Sequence, residues 1–295
     1  MTVKKLLLAL WFITLLFAAC KKDNPIEPTY SDSEIRATQN QITMPSTFTQ
    51  KMLIEMFSSV HCATCPDAEQ KFKTISTAHP DRVYGISIHN SDAMEIPLYN
   101  FMDSVYSIPY YASGMLNRTA FGGTLVLPKG NWNANINACL NKTASCGLMI
   151  NTSIQGNTAL IDVYSGFNAT LSGDYRLTVC LFENNVIGTG PGYNQSNYYN
   201  TTANSPFFGL GNPIIGYPHD FVTRKVLSSY LGNPVNYVQV SHGGCIKQSY
   251  NINISGYNSN HLYVVAFINK VAPSSMMHEI MNVQQTKLGT NKGFD

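Results

Sequence analysis

The pattern that most limits what this chain can fold into is His61-Cys62-Ala63-Thr64-Cys65. It stands directly behind an apolar run (Met52, Leu53, Ile54, Met56, Phe57) and ahead of a helical stretch from Asp67 to Thr77. A short apolar run closed by a turn and followed by helical periodicity reads as a buried strand feeding a helix. The two cysteines then sit at a helix N-terminus. There the free N–H groups and the helix dipole favour a thiolate and lower the pKa of the first cysteine. Two readings stay open: a nucleophilic Cys62 resolved by Cys65 and assisted by His61 or His89, or a static disulfide stapling the helix start to the strand. A metal reading takes His61, Cys62, Cys65 and His89 as zinc- or copper-type ligands. Adjacent residues such as His61 and Cys62 seldom both reach one ion, so neither a metal nor a cofactor is assigned.

Periodicity orders the rest. In the helix, Ala68, Phe72 and Ile75 fall on one face at the i, i+4, i+7 spacing. Val83 to His89 reads as a second strand, Leu98 to Val105 as a helix, and Asn131 to Lys142 as another with Trp132, Ile136, Cys139 and Leu140 on one face. Between them, Ser113–Arg118 and Thr124–Leu127 form two short strands joined through Gly122-Gly123. Right-handed crossovers lay Val83–His89 beside Met52–Phe57, which brings His89 to the sheet edge that carries Cys62. Past Cys146 the texture changes to alternating runs separated by Gly, Asn and Ser turns: Leu148–Gln155, Thr158–Phe167, Tyr175–Phe182, Asn236–Val240, Gln248–Ser255 and His261–Lys270. That reads as an all-β sandwich of about seven strands, Ig-like in pattern. A Gly/Asn/Tyr-rich stretch, Gly188 to Tyr217, interrupts it. It is either a binding surface, through the aromatic segment Tyr193 to Phe208, or a mobile insertion.

The N-terminus reads as an export signal. Lys4 and Lys5 precede an apolar stretch from Leu6 to Ala19, too short to span a bilayer. Leu16-Phe17-Ala18-Ala19-Cys20 resembles a bacterial lipobox, with Cys20 as the lipidated residue, and Lys21-Lys22-Asp23 resembles the surface-export tag of Bacteroidetes lipoproteins. Residues 20–46, punctuated by Pro25 and Pro28, read as a tether between lipid and domain. Losing Lys4 and Lys5 with the signal reduces 19 basic residues to 17, against 17 acidic ones. The neutral balance and the missing basic stripe exclude nucleic acid as a partner. Apart from Cys20, six cysteines remain, an even number suited to an oxidising compartment. The expected pairs are Cys62–Cys65, Cys139–Cys146 and Cys180–Cys245.

Leu53-Ile54-Glu55-Met56-Phe57 before His61–Asp67, then Ser87-Ile88-His89, Gly114–Arg118 and His219–Arg224, together resemble the "outer membrane protein twenty-eight"-related family of Bacteroidetes lipoproteins. The resemblance implies an α/β thioredoxin-like domain (residues 47–145) followed by the sandwich (residues 146–295, with the insertion at 188–217). It also implies lipid anchorage at the outer membrane, on its surface or its periplasmic face, and a binding or adhesion role toward a protein or glycan. Two departures weigh against a redox enzyme. Thioredoxin-like enzymes keep a buried acid six residues before the first cysteine, where this chain has Met56; Glu55 is one residue off and so on the opposite face of the strand. Ala112 stands where a cis-proline should face the disulfide, with Pro109 the nearest substitute. The usual tryptophan before the first cysteine is His61, whose imidazolium would lower a thiol pKa.

Overall fold

A computed structural model describes residues 42–235 and 243–295. The signal, Cys20, most of the tether and the expected strand at 236–240 lie outside the described residues.

The first half runs β1 (Met52–Ser58), α1 (Cys65–Ala78), β2 (Val83–His89), α2 (Leu98–Tyr106), β3 (Ser113–Leu116), β4 (Leu127–Pro128) and α3 (Trp132–Leu140). β1 and β2 pair in parallel from Met52↔Val83 to Ser58↔His89, and β3 runs antiparallel on the other side of β1. Side chains of β1 alternate between two cores. Met52, Ile54 and Met56 meet Ala68, Phe72 and Ile75 of α1 and Trp132, Ile136 and Leu140 of α3. Leu53 and Phe57 meet Leu98, Tyr99 and Met102 of α2 on the opposite face. A strand covered on both faces has to be apolar throughout, which is why β1 reads as a run and not as an alternation. Gly85 is required by this packing, since a Cβ there would lie 2.4 Å from the Phe72 ring.

The second half contributes β5 (Cys146–Gln155), β6 (Thr158–Phe167), β7 (Asp174–Glu183), β8 (Val222–Val226), β9 (Asn233–Pro234), β10 (Cys245–Asn253), β11 (Leu262–Val271) and β12 (Ile280–Lys287). One layer of its sandwich is not separate from the first half. A single mixed sheet runs β12-β11-β7-β8-β2-β1-β3-β4, with β9 on β7, and faces a three-stranded sheet β10-β6-β5. The joint is β8, which meets β7 antiparallel and β2 parallel at Ser87↔Val222. Ser87 N–H also donates to Phe221 O at 2.7 Å. Three strands that the sequence did not announce, β8, β9 and β12, complete this sheet. β8 and β9, five and two residues long, are too short to carry a periodicity of their own, and β12 buries Asn282 and Gln284 where an apolar alternation would be read.

Two of the expected disulfides do not form: Cys139, Cys146, Cys180 and Cys245 are free and buried. Cys139 packs among the residues between α3 and β1, whereas Cys146 lies inside the sandwich. Cys180 faces α2 with Phe182, away from Leu177, Val179 and Leu181, which fill the sandwich. Cys245 takes the opposite face of β10 from Ile246, which also points into the sandwich. The sandwich core therefore separates the last pair. Burial pushes each of the four thiols up to about 12, so they are inert at neutral pH.

Where the halves meet, Arg118 donates to Glu55 through Nε (2.8 Å) and Nη2 (2.7 Å). Its guanidinium also lies over the rings of Tyr106 and Phe267 at 5.5 and 5.2 Å. Burial opposes the charge on Arg118, but the Glu55 carboxylate more than offsets it and raises the pKa. Glu55 is thus on the face of β1 away from the cysteines, committed to an ion pair. Arg118→Met should cost about 3–5 kcal/mol, because it strands a buried carboxylate, while Glu55→Leu with Arg118→Met should recover most of that loss. Urea unfolding midpoints would show this; a double variant no more stable than the single one refutes it.

Candidate functional site

The sequence placed the cysteines at a helix start, and the structure puts them there as a Cys62–Cys65 disulfide with Cα atoms 5.4 Å apart. Cys65 opens α1, Thr64 is its N-cap, and Pro66 takes a first-turn position where no N–H is needed. The loop is closed by Cys62 N–H donating to Ser59 O (3.0 Å) and Cys65 N–H to Cys62 O (3.2 Å). Lys129 reaches this terminus, donating to Thr64 O (3.2 Å) and Tyr199 Oη (2.8 Å) and pairing with Asp67.

The redox accessories are replaced. Met56 packs in the same cluster as Cys65, so a thioether stands where an acid would carry a proton. Ala112 belongs to that cluster too, with φ +59°, a left-handed backbone that is uncommon for a residue with a Cβ. Neither histidine attends the sulfurs. His61 is exposed, and its N–H donates to Ser59 Oγ at 3.2 Å. His89 is buried and bonds Asp92 Oδ2 through Nδ1 at 2.7 Å, with its ring edge-on to His219 at 5.6 Å. The four residues of the metal reading therefore do not converge.

His89 instead belongs to the frame of the loop. Asp92 Oδ2 also accepts from Val60 N–H (3.0 Å), and Asp92 Oδ1 from Met94 N–H (2.9 Å). Burial raises the Asp92 pKa, but these donors and His89 outweigh it, so the carboxyl is held below its ordinary value. His219, whose Nε2 donates to Tyr193 O (2.8 Å), is pushed down to about 4 by burial and stays neutral.

Residues 188–217 form an ordered cap on this loop. Ser196 N–H donates to Val60 O (2.8 Å) and Tyr198 N–H to Ala63 O (2.9 Å), so alternate residues of the insertion pair with the cysteine loop like a short strand. Between them, the buried Gln195 amide donates to Cys62 O (2.9 Å) and Val60 O (3.2 Å). The cap has its own small core of Phe207, Ile214 and Tyr217, with Tyr199 against it. Asn197 braces that core by donating to Phe207 O and Gly211 O, both at 2.9 Å. Under the cap, Glu69 of α1 pairs with Lys73 (2.6 Å), which also pairs with Asp220 (2.6 Å). Burial raises Glu69 to about 7 against the pull of Lys73. Asp92, Gln195 and the Glu69 cluster escaped the sequence reading because none sits in a motif. Asp92 meets Val60 N–H across a loop, Gln195 reaches Cys62 O over a separation of 133 residues, and the Glu69–Lys73 pair lies within α1 and gains Asp220 only through the fold.

The cap turns large apolar groups outward. Tyr198, Phe208, Leu210 and Ile215, together with Ile187 just before the cap, are all more than half exposed, from 52% at Leu210 to 71% at Ile215. Gln195→Ala removes the buried amide that bridges Val60 O and Cys62 O and should cost the cap about 1–3 kcal/mol, on the order of a 10- to 100-fold rise in amide exchange across its backbone bonds to the loop. Unchanged exchange at Ser196 and Tyr198 would show that Gln195 does not hold the cap down.

Comparison with curated proteins finds no match. Among solved structures, HBP35 of Porphyromonas gingivalis is similar with a TM-score of 0.65 at 17% identity, over 82% of this chain and 76% of that one. Protein AGR_C_4864 from Agrobacterium tumefaciens is similar with a TM-score of 0.49 at 12% identity, over 84% of this chain and 98% of that one. A family model, outer membrane protein Omp28, matches residues 100–292, which include the cap and all strands from β5 to β12. The chain belongs to the Omp28 family of outer membrane proteins.

Proposed function

We propose that this outer membrane protein is a lipoprotein anchored through Cys20 whose capped insertion is a recognition surface for adhesion or binding. Its thioredoxin-like first half serves as the rigid support, and the Ig-like sandwich holds the other end of the cap. One observation carries this reading. The insertion exposes large apolar side chains, yet it is fastened by backbone and side-chain hydrogen bonds to the cysteine loop. Scattered apolar residues are normal on a protein surface, but several gathered on one braced segment mark an interaction site. Anchoring the segment beforehand spares the ordering cost of binding. The family match spans the insertion and begins after the cysteines.

Surface binding of the full chain, with Cys20→Ser for solubility, can be measured on intact bacterial cells and on immobilised glycoproteins. Saturable binding that falls at least about tenfold (1.4 kcal/mol) in a Phe208→Ser/Leu210→Ser variant of unchanged circular dichroism is expected. Binding indifferent to these changes would end the reading.

The position of the disulfide at a helix N-terminus supports a second reading, thiol–disulfide exchange with Cys62 attacking and Cys65 resolving. Met56, Ala112 and the cap weigh against it. The reduction potential of the pair, from equilibration in redox buffers and alkylation, decides between them. A structural clasp is expected below about −300 mV, whereas a value between about −120 and −270 mV would favour the enzyme.

A further inference from the structure

From Asn184 to Pro218, 35 consecutive residues contain no Asp, Glu, Lys, Arg or His, in a chain that is 12% charged. The stretch includes the cap with its four exposed apolar side chains, Tyr198, Phe208, Leu210 and Ile215, and Ile187 just before it. We propose that the partner of this surface is a second copy of the chain, docked cap to cap about a two-fold axis. The inference rests on the reading of the cap as a recognition surface and names its occupant.

Three arguments favour a second copy. A partner chosen by charge would find nothing on the cap to pair with, and electrostatic complementarity is what usually selects an unlike partner. A surface opposed to itself, by contrast, must avoid like charges facing each other across the axis, and a charge-free segment meets that condition in any orientation. Composition agrees with this. Interface cores are depleted of charge and enriched in Tyr and Phe, and those of homodimers are the most apolar. Here Tyr198, Phe208 and Leu210 flank residues drawn together by Asn197, while Ile215 follows the Ile214–Gln195 pairing. The size also fits. A stable interface takes about 20–30 residues a side, the scale of the cap.

The cap is braced before any partner arrives: Gln195 and Ile214 exchange backbone bonds at 3.1 and 2.7 Å, and Phe207, Ile214 and Tyr217 are buried beneath it. Association then orders few groups that were loose. Once Lys4 and Lys5 leave with the signal, the chain carries no formal net charge, so copies meet without long-range repulsion.

Sedimentation of the Cys20→Ser full chain over a range of concentrations tests this. A mass of two copies is expected, shifting to one copy in Leu210→Asp/Ile215→Asp. Leu160→Asp, which places a charge on a partly exposed apolar site of β6, should leave the two-copy mass unchanged. A milder Phe208→Ser variant should weaken association at least about tenfold, and it guards against misfolding of the double variant. A single-copy mass at all concentrations overturns the inference. So does a two-copy mass that the cap variants fail to disturb. A chain that stays single yet binds cells through Phe208 and Leu210 overturns only the identity of the partner; one that does neither removes the recognition surface as well.

Discussion

The ion pair between Glu55 and Arg118 is the constraint on which the joined architecture depends. Two charges taken out of water persist only where their partners are fixed, and here the partners come from everywhere the halves touch. Glu55 is supplied by β1, the Tyr106 ring by α2 and the Phe267 ring by β11. Asn117, next to Arg118, adds further ties. Its side chain accepts from Leu53 N–H at 2.8 Å, and its carbonyl accepts from Ile280 N–H at 2.8 Å. The turn after β3 therefore locks β1 and β12 around one buried guanidinium. The continuous sheet and the shared core on the α2 face follow from that meeting.

This arrangement also explains the altered cysteine site. The acid beside β1 is turned to the far face to hold Arg118, leaving Met56 under the disulfide. Cys62 and Cys65 close a loop whose carbonyls are offered to the insertion. The cap occupies those carbonyls through Gln195, Ser196 and Tyr198, and Lys129 joins the same helix terminus to Tyr199. His89 and Asp92 hold the loop from below. The cysteine loop in this chain is covered by a segment without charged side chains.

The elements of the first half were legible because each carries its own periodicity. Val83–His89 matches its strand residue for residue, and the faces of α1 and α3 are the buried ones expected from Phe72 and Trp132. In the second half Thr158–Phe167 was equally clear. The short β8 was read only as part of a motif, since five residues that change partners between β2 and β7 show neither alternation nor a continuous apolar run. Even parity of the cysteine count suggested pairings that strand alternation forbids: Cys180 and Cys245 belong to faces the sequence could not orient.

Local chemistry alone determined the helix-start position of Cys62 and Cys65, the wrong-face placement of Glu55, and the uncharged character of the insertion, because spacing, strand parity and side-chain type are properties of neighbouring residues. Tertiary structure alone decided what those features do. It joined two sheets through β8, gave Glu55 its arginine, drew His89 to Asp92 and laid Gln195 across the cysteine loop. Apart from the short step from His89 to Asp92, each of these contacts closes a long loop or turns on which of two faces a strand presents, and such choices are made by burial of the whole chain at once.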